Sequence, residues 1–190
     1  MIFNMTPYRR PITLVPVPAL ESSNYTYTGA AITPTVTGYD STLMIRAGRI
    51  SAIAAGTYTT TYKLRDPRHY RWEDGTTEDK ELTWTIDKAS YQMALSKVST
   101  TQYRVQVRAP SMLSNTESEQ FSLTARVGTA GVRAKVGGIS GSTAQGFTAT
   151  VVLTKTVSGN VSGTLTVTLT YTGSNSNINE TAGVRATVSL

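Results

Sequence analysis

Thr164-Leu-Thr-Val-Thr-Leu-Thr-Tyr-Thr172 is the stretch whose reading decides the fold. Leu165, Val167, Leu169 and Tyr171 alternate with an unbroken row of threonines. Successive side chains of a strand point to opposite faces, so this spacing puts the apolar groups on one side and the hydroxyls on the other. A helix would scatter both around its circumference. The same period of two recurs upstream. Tyr103, Val105, Val107 and Ala109 alternate with polar residues, as do Phe121, Leu123, Ala125 and Val127, and Phe147, Ala149, Val151 and Leu153. Nearer the N-terminus, Tyr58, Thr60, Tyr62 and Leu64 share one face, and Leu82, Trp84 and Ile86 another. No stretch has the spacing of an amphipathic helix. The sequence therefore predicts an all-β protein.

Composition narrows the architecture. Thr, Val and Tyr suit pleated, half-buried surfaces. With 39% apolar and 16% charged residues, the chain can fill thin two-layer cores, with hydroxyls where charges usually stand. We expect two small β-sandwiches, residues 21–89 and 90–190, preceded by an arm at residues 1–20. Turn signals punctuate both. Asp74-Gly75 sits between the Tyr58 and Trp84 strands, and Ser158-Gly-Asn-Val-Ser-Gly163 reads as a hairpin loop. One short echo, Ala130-Gly-Val-Arg-Ala134 and Ala182-Gly-Val-Arg-Ala186, is too brief to imply duplication.

The arm holds Pro7, Pro11, Pro16 and Pro18, four of seven prolines. Proline fixes φ and removes a donor, so the segment reads as extended chain and not as a central strand. It is also apolar, through Ile12, Leu14, Val15 and Val17, and carries Arg9-Arg10. Apolar side chains of this size gain by burial. We expect them, with Arg9 and Arg10, to anchor the protein on a neighbouring subunit. The competing expectation is that the arm folds back on its own first domain.

Several chemistries are excluded or disfavoured. There is no cysteine, hence no disulfide, thiolate metal site or cysteine nucleophile. The net charge of +6 is spread along the chain with no run longer than Arg9-Arg10, which disfavours nucleic acid as a partner. No apolar run is long enough to span a membrane. Met1-Ile-Phe-Asn-Met5 and the residues after it lack the charge order and apolar core of a signal peptide. That suggests a cytoplasmic origin.

Asn24-Tyr-Thr-Tyr-Thr-Gly29, Ile32-Thr-Pro-Thr-Val36, Gly38-Tyr-Asp-Ser41, Ala54-Ala-Gly-Thr-Tyr58, Tyr70-Arg-Trp-Glu-Asp-Gly75 and Leu82-Thr-Trp-Thr-Ile-Asp-Lys-Ala89 follow one another in order. Residues 22–89 thereby resemble the bacterial immunoglobulin-like repeats of Gram-positive surface proteins and phage virion proteins. Their pattern runs Y-x-Y-x-G, P, A-G-T-Y, Y-x-W-x-D-G-x-T, W-x-I-x-K-A. The resemblance implies an immunoglobulin-like first domain serving display, spacing or adhesion, with no catalytic residues to carry over. Together with the absent signal peptide and wall anchor, it leads us to expect a non-enzymatic virion structural protein, assembled in the host cytoplasm and placed on the head or tail exterior. Its partners would be other virion proteins, copies of itself, and a host surface glycan or protein. The alternative is a bacterial cell-surface module binding glycan or protein.

Candidate chemistry is sparse. His69 is the single histidine and no Ser-His-acid set is marked out. Glu73-Asp74 and Glu78-Asp79 flank a Gly turn, as Ca²⁺ ligands can, but without EF-hand spacing. Arg65, Arg68, His69, Tyr70 and Arg71 interleave cations with an aromatic ring, which suits a recognition loop. No metal or cofactor is expected. Tyr58, Tyr62, Trp84 and Ile86 are expected in the first core.

Overall fold

The computed structural model describes residues 11–113 and 120–190, and among them every regular element is a strand. The chain divides into two compact units, Met1–Asp87 and Lys88–Leu190. Ala89, expected at the end of the first domain, belongs to the second unit. It is 2% exposed and bridges Ile178 in parallel.

In the first unit the strands are β1 (Thr13–Val15), β2 (Ala19–Leu20), β3 (Asn24–Thr26), β4 (Val36–Thr37), β5 (Met44–Gly48), β6 (Gly56–Leu64), β7 (Tyr70–Trp72) and β8 (Lys80–Asp87). The main sheet has the order β3-β8-β6-β5. β6 and β8 are antiparallel, with Tyr58 opposite Trp84 and Gly56 opposite Ile86. β3 joins β8 in parallel, with Tyr25 beside Ile86. Two small sheets, β1 with β7 and β2 with β4, complete the unit.

Alternation decides the inward face. Thr60, Tyr62 and Leu64 of β6 are buried, as are Trp84 and Ile86 of β8, while Tyr58 is half-buried. Val15, Met44, Tyr62, Leu64 and Trp72 form one cluster, with Tyr39, Tyr70 and Leu82 against it. Trp84 lies between Tyr58, 4.9 Å away between ring centres, and Tyr25, edge-on at 6.3 Å. Thr60 gives the indole a polar partner. Trp84 Nε1 donates to Thr60 Oγ1 at 3.3 Å, and Thr60 Oγ1 donates to Arg49 O at 2.7 Å. A buried N–H and a buried hydroxyl are thus both satisfied. Gly48 (φ 80°) lets β5 approach closely, since a Cβ there would stand 2.8 Å from Thr59 O.

The second unit comprises β9 (Gln92–Lys97), β10 (Gln102–Arg108), β11 (Phe121–Val127), β12 (Val132–Val136), β13 (Ser140–Ser142), β14 (Gly146–Lys155), β15 (Ser162–Tyr171) and β16 (Thr181–Ser189). One sheet runs β12-β14-β10-β9, with β13 also on β14, and the other runs β11-β15-β16. Their inner faces supply the core: Val105 and Val107 from β10, Val151 from β14, and Leu165, Val167 and Leu169 from β15, none more than 1% exposed. Tyr91, Phe121, Phe147 and Tyr171 join in a ring cluster with centroid separations of 5.3 to 5.9 Å.

The hairpin expected at residues 158–163 is absent. β14 pairs with β10 and β15 with β11, so this loop carries the chain from one sheet to the other. Both strands are apolar on one side. In a sandwich that is equally well met by facing strands as by paired ones.

Candidate functional site

The arm and the loop expected to recognise a partner are adjacent in the first unit. Thr13, Leu14 and Val15 pair in parallel with Tyr70, Arg71 and Trp72. Thr13 N donates to His69 O at 2.9 Å and Glu73 N donates to Val15 O at 2.9 Å. The prolines at 11 and 16 bracket this strand and keep it short. Of the expected anchor residues, Val15 is fully buried in the first unit's own core, a departure from a role on a neighbouring subunit. The others among the described residues face outward, with Ile12 52%, Leu14 59% and Val17 37% exposed. The expectation for Arg9 and Arg10 lies outside the described residues.

Asp66 organises the loop Arg65–His69. Its Oδ1 accepts from Arg68 N at 3.1 Å, its carbonyl accepts from His69 N and Tyr70 N, and its Oδ2 meets His69 Nδ1 at 2.5 Å. This turn chemistry is local to the chain. The His69 bond, foremost, holds the Asp66 carboxyl below its ordinary range. Arg65 Nε donates to Ser41 O at 2.8 Å and Arg71 Nη1 to Gly75 O at 3.2 Å. Tyr70 is half-buried against the core. Arg68 is therefore the cation of this loop with no described side-chain bond. Arg46, on β5, lies 5.1 Å over the Tyr39 ring, and burial raises the Tyr62 phenol while a bond from Arg46 opposes the shift.

The carboxylates around Gly75 serve the turn. Lys80 Nζ binds Asp74 Oδ2 at 2.5 Å, and Asp74 Oδ1 accepts from Thr76 N and Thr76 Oγ1. Bonds from Lys80 first, then Thr76, lower the Asp74 carboxyl to about 2. Asp79 pairs with Lys63 at 2.6 Å. Among the described residues no three His, Asp or Glu side chains gather as metal ligands do.

What the sequence reading missed lies in the second unit. Residues 88–190 contain nine Lys and Arg against three Asp and Glu, while residues 1–87 contain nine of each. The whole excess of +6 thus belongs to one unit. Counting charge by domain would have found it; counting runs could not.

Compared with known proteins, the chain matches no family model, no curated protein and no solved structure.

Proposed function

We propose that the protein is a non-enzymatic structural component on the exterior of a phage head or tail, whose first unit is an immunoglobulin-like module for display or weak adhesion. The observation that carries this reading is the convergence of the motif residues. Tyr25, Tyr58, Trp84 and Ile86, from three separated motif segments, meet in one core. Family resemblance of the motif is what connects such a module with virions and surface proteins.

In this reading the outward edge of β1 is the assembly contact. Leu14 and Ile12 present apolar surface there, and β1 pairs only on its β7 side among the described strands. An unpaired, apolar strand edge invites another chain. Purified virions decide the matter. Immunogold electron microscopy is expected to place the protein on particles that encode it. Absence from those particles, with retention on bacterial cell walls instead, would favour a cell-surface binding module.

A further inference from the structure

Four of the second unit's nine Lys and Arg point outward from one sheet face. β10 directs Arg104 and Arg108 outward, and β12 directs Arg133 and Lys135 outward. β14 runs between these strands and contributes Thr148, Thr150, Val152 and Thr154 on the same side, Val152 being 39% exposed. Arg104 stands opposite Thr150, and Arg133 opposite Thr154. Three of these four outward positions of β14 thus carry hydroxyls, with the β10 cation beside Thr150 on one side and the β12 cations beside Val152 and Thr154 on the other. None of the residues that β9, β10, β12 and β14 direct outward is acidic or aromatic. Among the described residues no ion pair engages these four cations.

A trough crosses this face. β12 ends at Val136 and β13 begins at Ser140. Gly137 N holds the chain to β14 through Thr150 O at 2.7 Å, and a Cβ on Gly138 would meet nothing within 4 Å. The trough has a volume of about 380 Å³ and is lined by Arg104, Gln106, Gly138, Ser140, Thr148 and Thr150.

Gathering like charges costs stability through repulsion, and a field of one sign attracts ions of the other sign. We propose that this face binds an acidic polysaccharide. Arginine meets a carboxylate with two parallel hydrogen bonds. The Gln106 amide and the Ser and Thr hydroxyls both donate and accept, as sugar hydroxyls do, whereas a phosphate backbone only accepts. Single-stranded nucleic acid lacks aromatic rings here on which to stack. Among the described residues there is no helix to enter the major groove of duplex DNA. The inference does not depend on the protein being a virion component.

Titration calorimetry of the full chain at low salt against polygalacturonate, neutral dextran and duplex DNA tests it. Polygalacturonate is expected to bind, weakening with added salt, and dextran is not. Arg104→Gln combined with Lys135→Gln is expected to lower affinity by about tenfold or more, through loss of two charge-assisted contacts. Gly138→Leu, whose side chain enters open space, is expected to block the trough with an unchanged melting temperature. Arg49→Gln in the first unit serves as the control and is expected to bind as the parent does. No binding of polygalacturonate, equal binding of dextran, tighter binding of DNA at the same salt, or unchanged affinity in the double variant would each overturn the proposal.

Discussion

Trp84 shows how one residue's environment is built from sequence-distant parts. Its ring is fully buried between Tyr25 and Tyr58, and its N–H reaches Thr60. Trp84→Ala should cost about 3–5 kcal/mol, through lost apolar burial and the cavity left behind. A urea titration followed by the remaining tryptophan, Trp72, measures this. Thr60→Val keeps the shape and removes both hydrogen bonds. It should cost about 1–3 kcal/mol, because it strands the Trp84 donor in the core. Period-two spacing predicted that Trp84 points inward, and it does. Spacing also put Thr60 inward without saying why a hydroxyl belongs there. The reason is a bond to β8 and another to Arg49, neither of which a linear pattern encodes.

At the scale of elements, β1 has two sides with different consequences. Val15 faces the first core and Leu14 faces out. Removing residues 1–18 deletes the strand and empties the Val15 site, a burial worth about 1.5–3 kcal/mol for the side chain alone. The first unit should therefore melt several degrees lower. Leu14→Glu should leave melting nearly unchanged and, under the proposed virion role, should keep the protein off the particle. If Leu14→Glu assembles normally, β1 is not the contact. The turn at Asp74 gives a pH prediction. Its carboxyl titrates at about 2 when folded and near 3.8 otherwise, so folding favours the charged form. The resulting stabilisation is complete above the higher value and disappears as pH falls through the lower one. The difference between the urea midpoints of the parent and Asp74→Asn should hold steady above about pH 4, shrink between about 4 and 2, and change no further below that. The echoed pentapeptides diverge at this scale. Gly131 turns with φ 81° before β12, whereas Gly183 lies inside β16.

For the whole molecule, each unit has its own core and its own charge. Both tryptophans, Trp72 and Trp84, belong to the first unit. Tryptophan fluorescence should report that unit, and backbone circular dichroism the strands of both. Leu169→Ala, in the fully buried centre of β15, should cost about 2–5 kcal/mol. It should shift the dichroism transition and leave the fluorescence midpoint in place. A common shift of both signals would show that the units unfold as one.

Alternation along the chain determined the strands, their inward faces and the all-β class by itself, because side-chain direction in a strand is a local property. Turn dipeptides such as Asp74-Gly75 were legible for the same reason. Pairing was not. The loop at residues 158–163 looks the same to a local reading whether it closes a hairpin or crosses between sheets. The choice rests on contacts with β10 and β11, far away in the sequence. The arm's return onto β7, with Val15 entering the first core, was equally undecided, since an apolar strand gains from burial wherever a matching surface offers itself. The cationic face of the second unit required both levels: the sequence supplied the excess charge, and only strand register brought β10 and β12 to either side of β14.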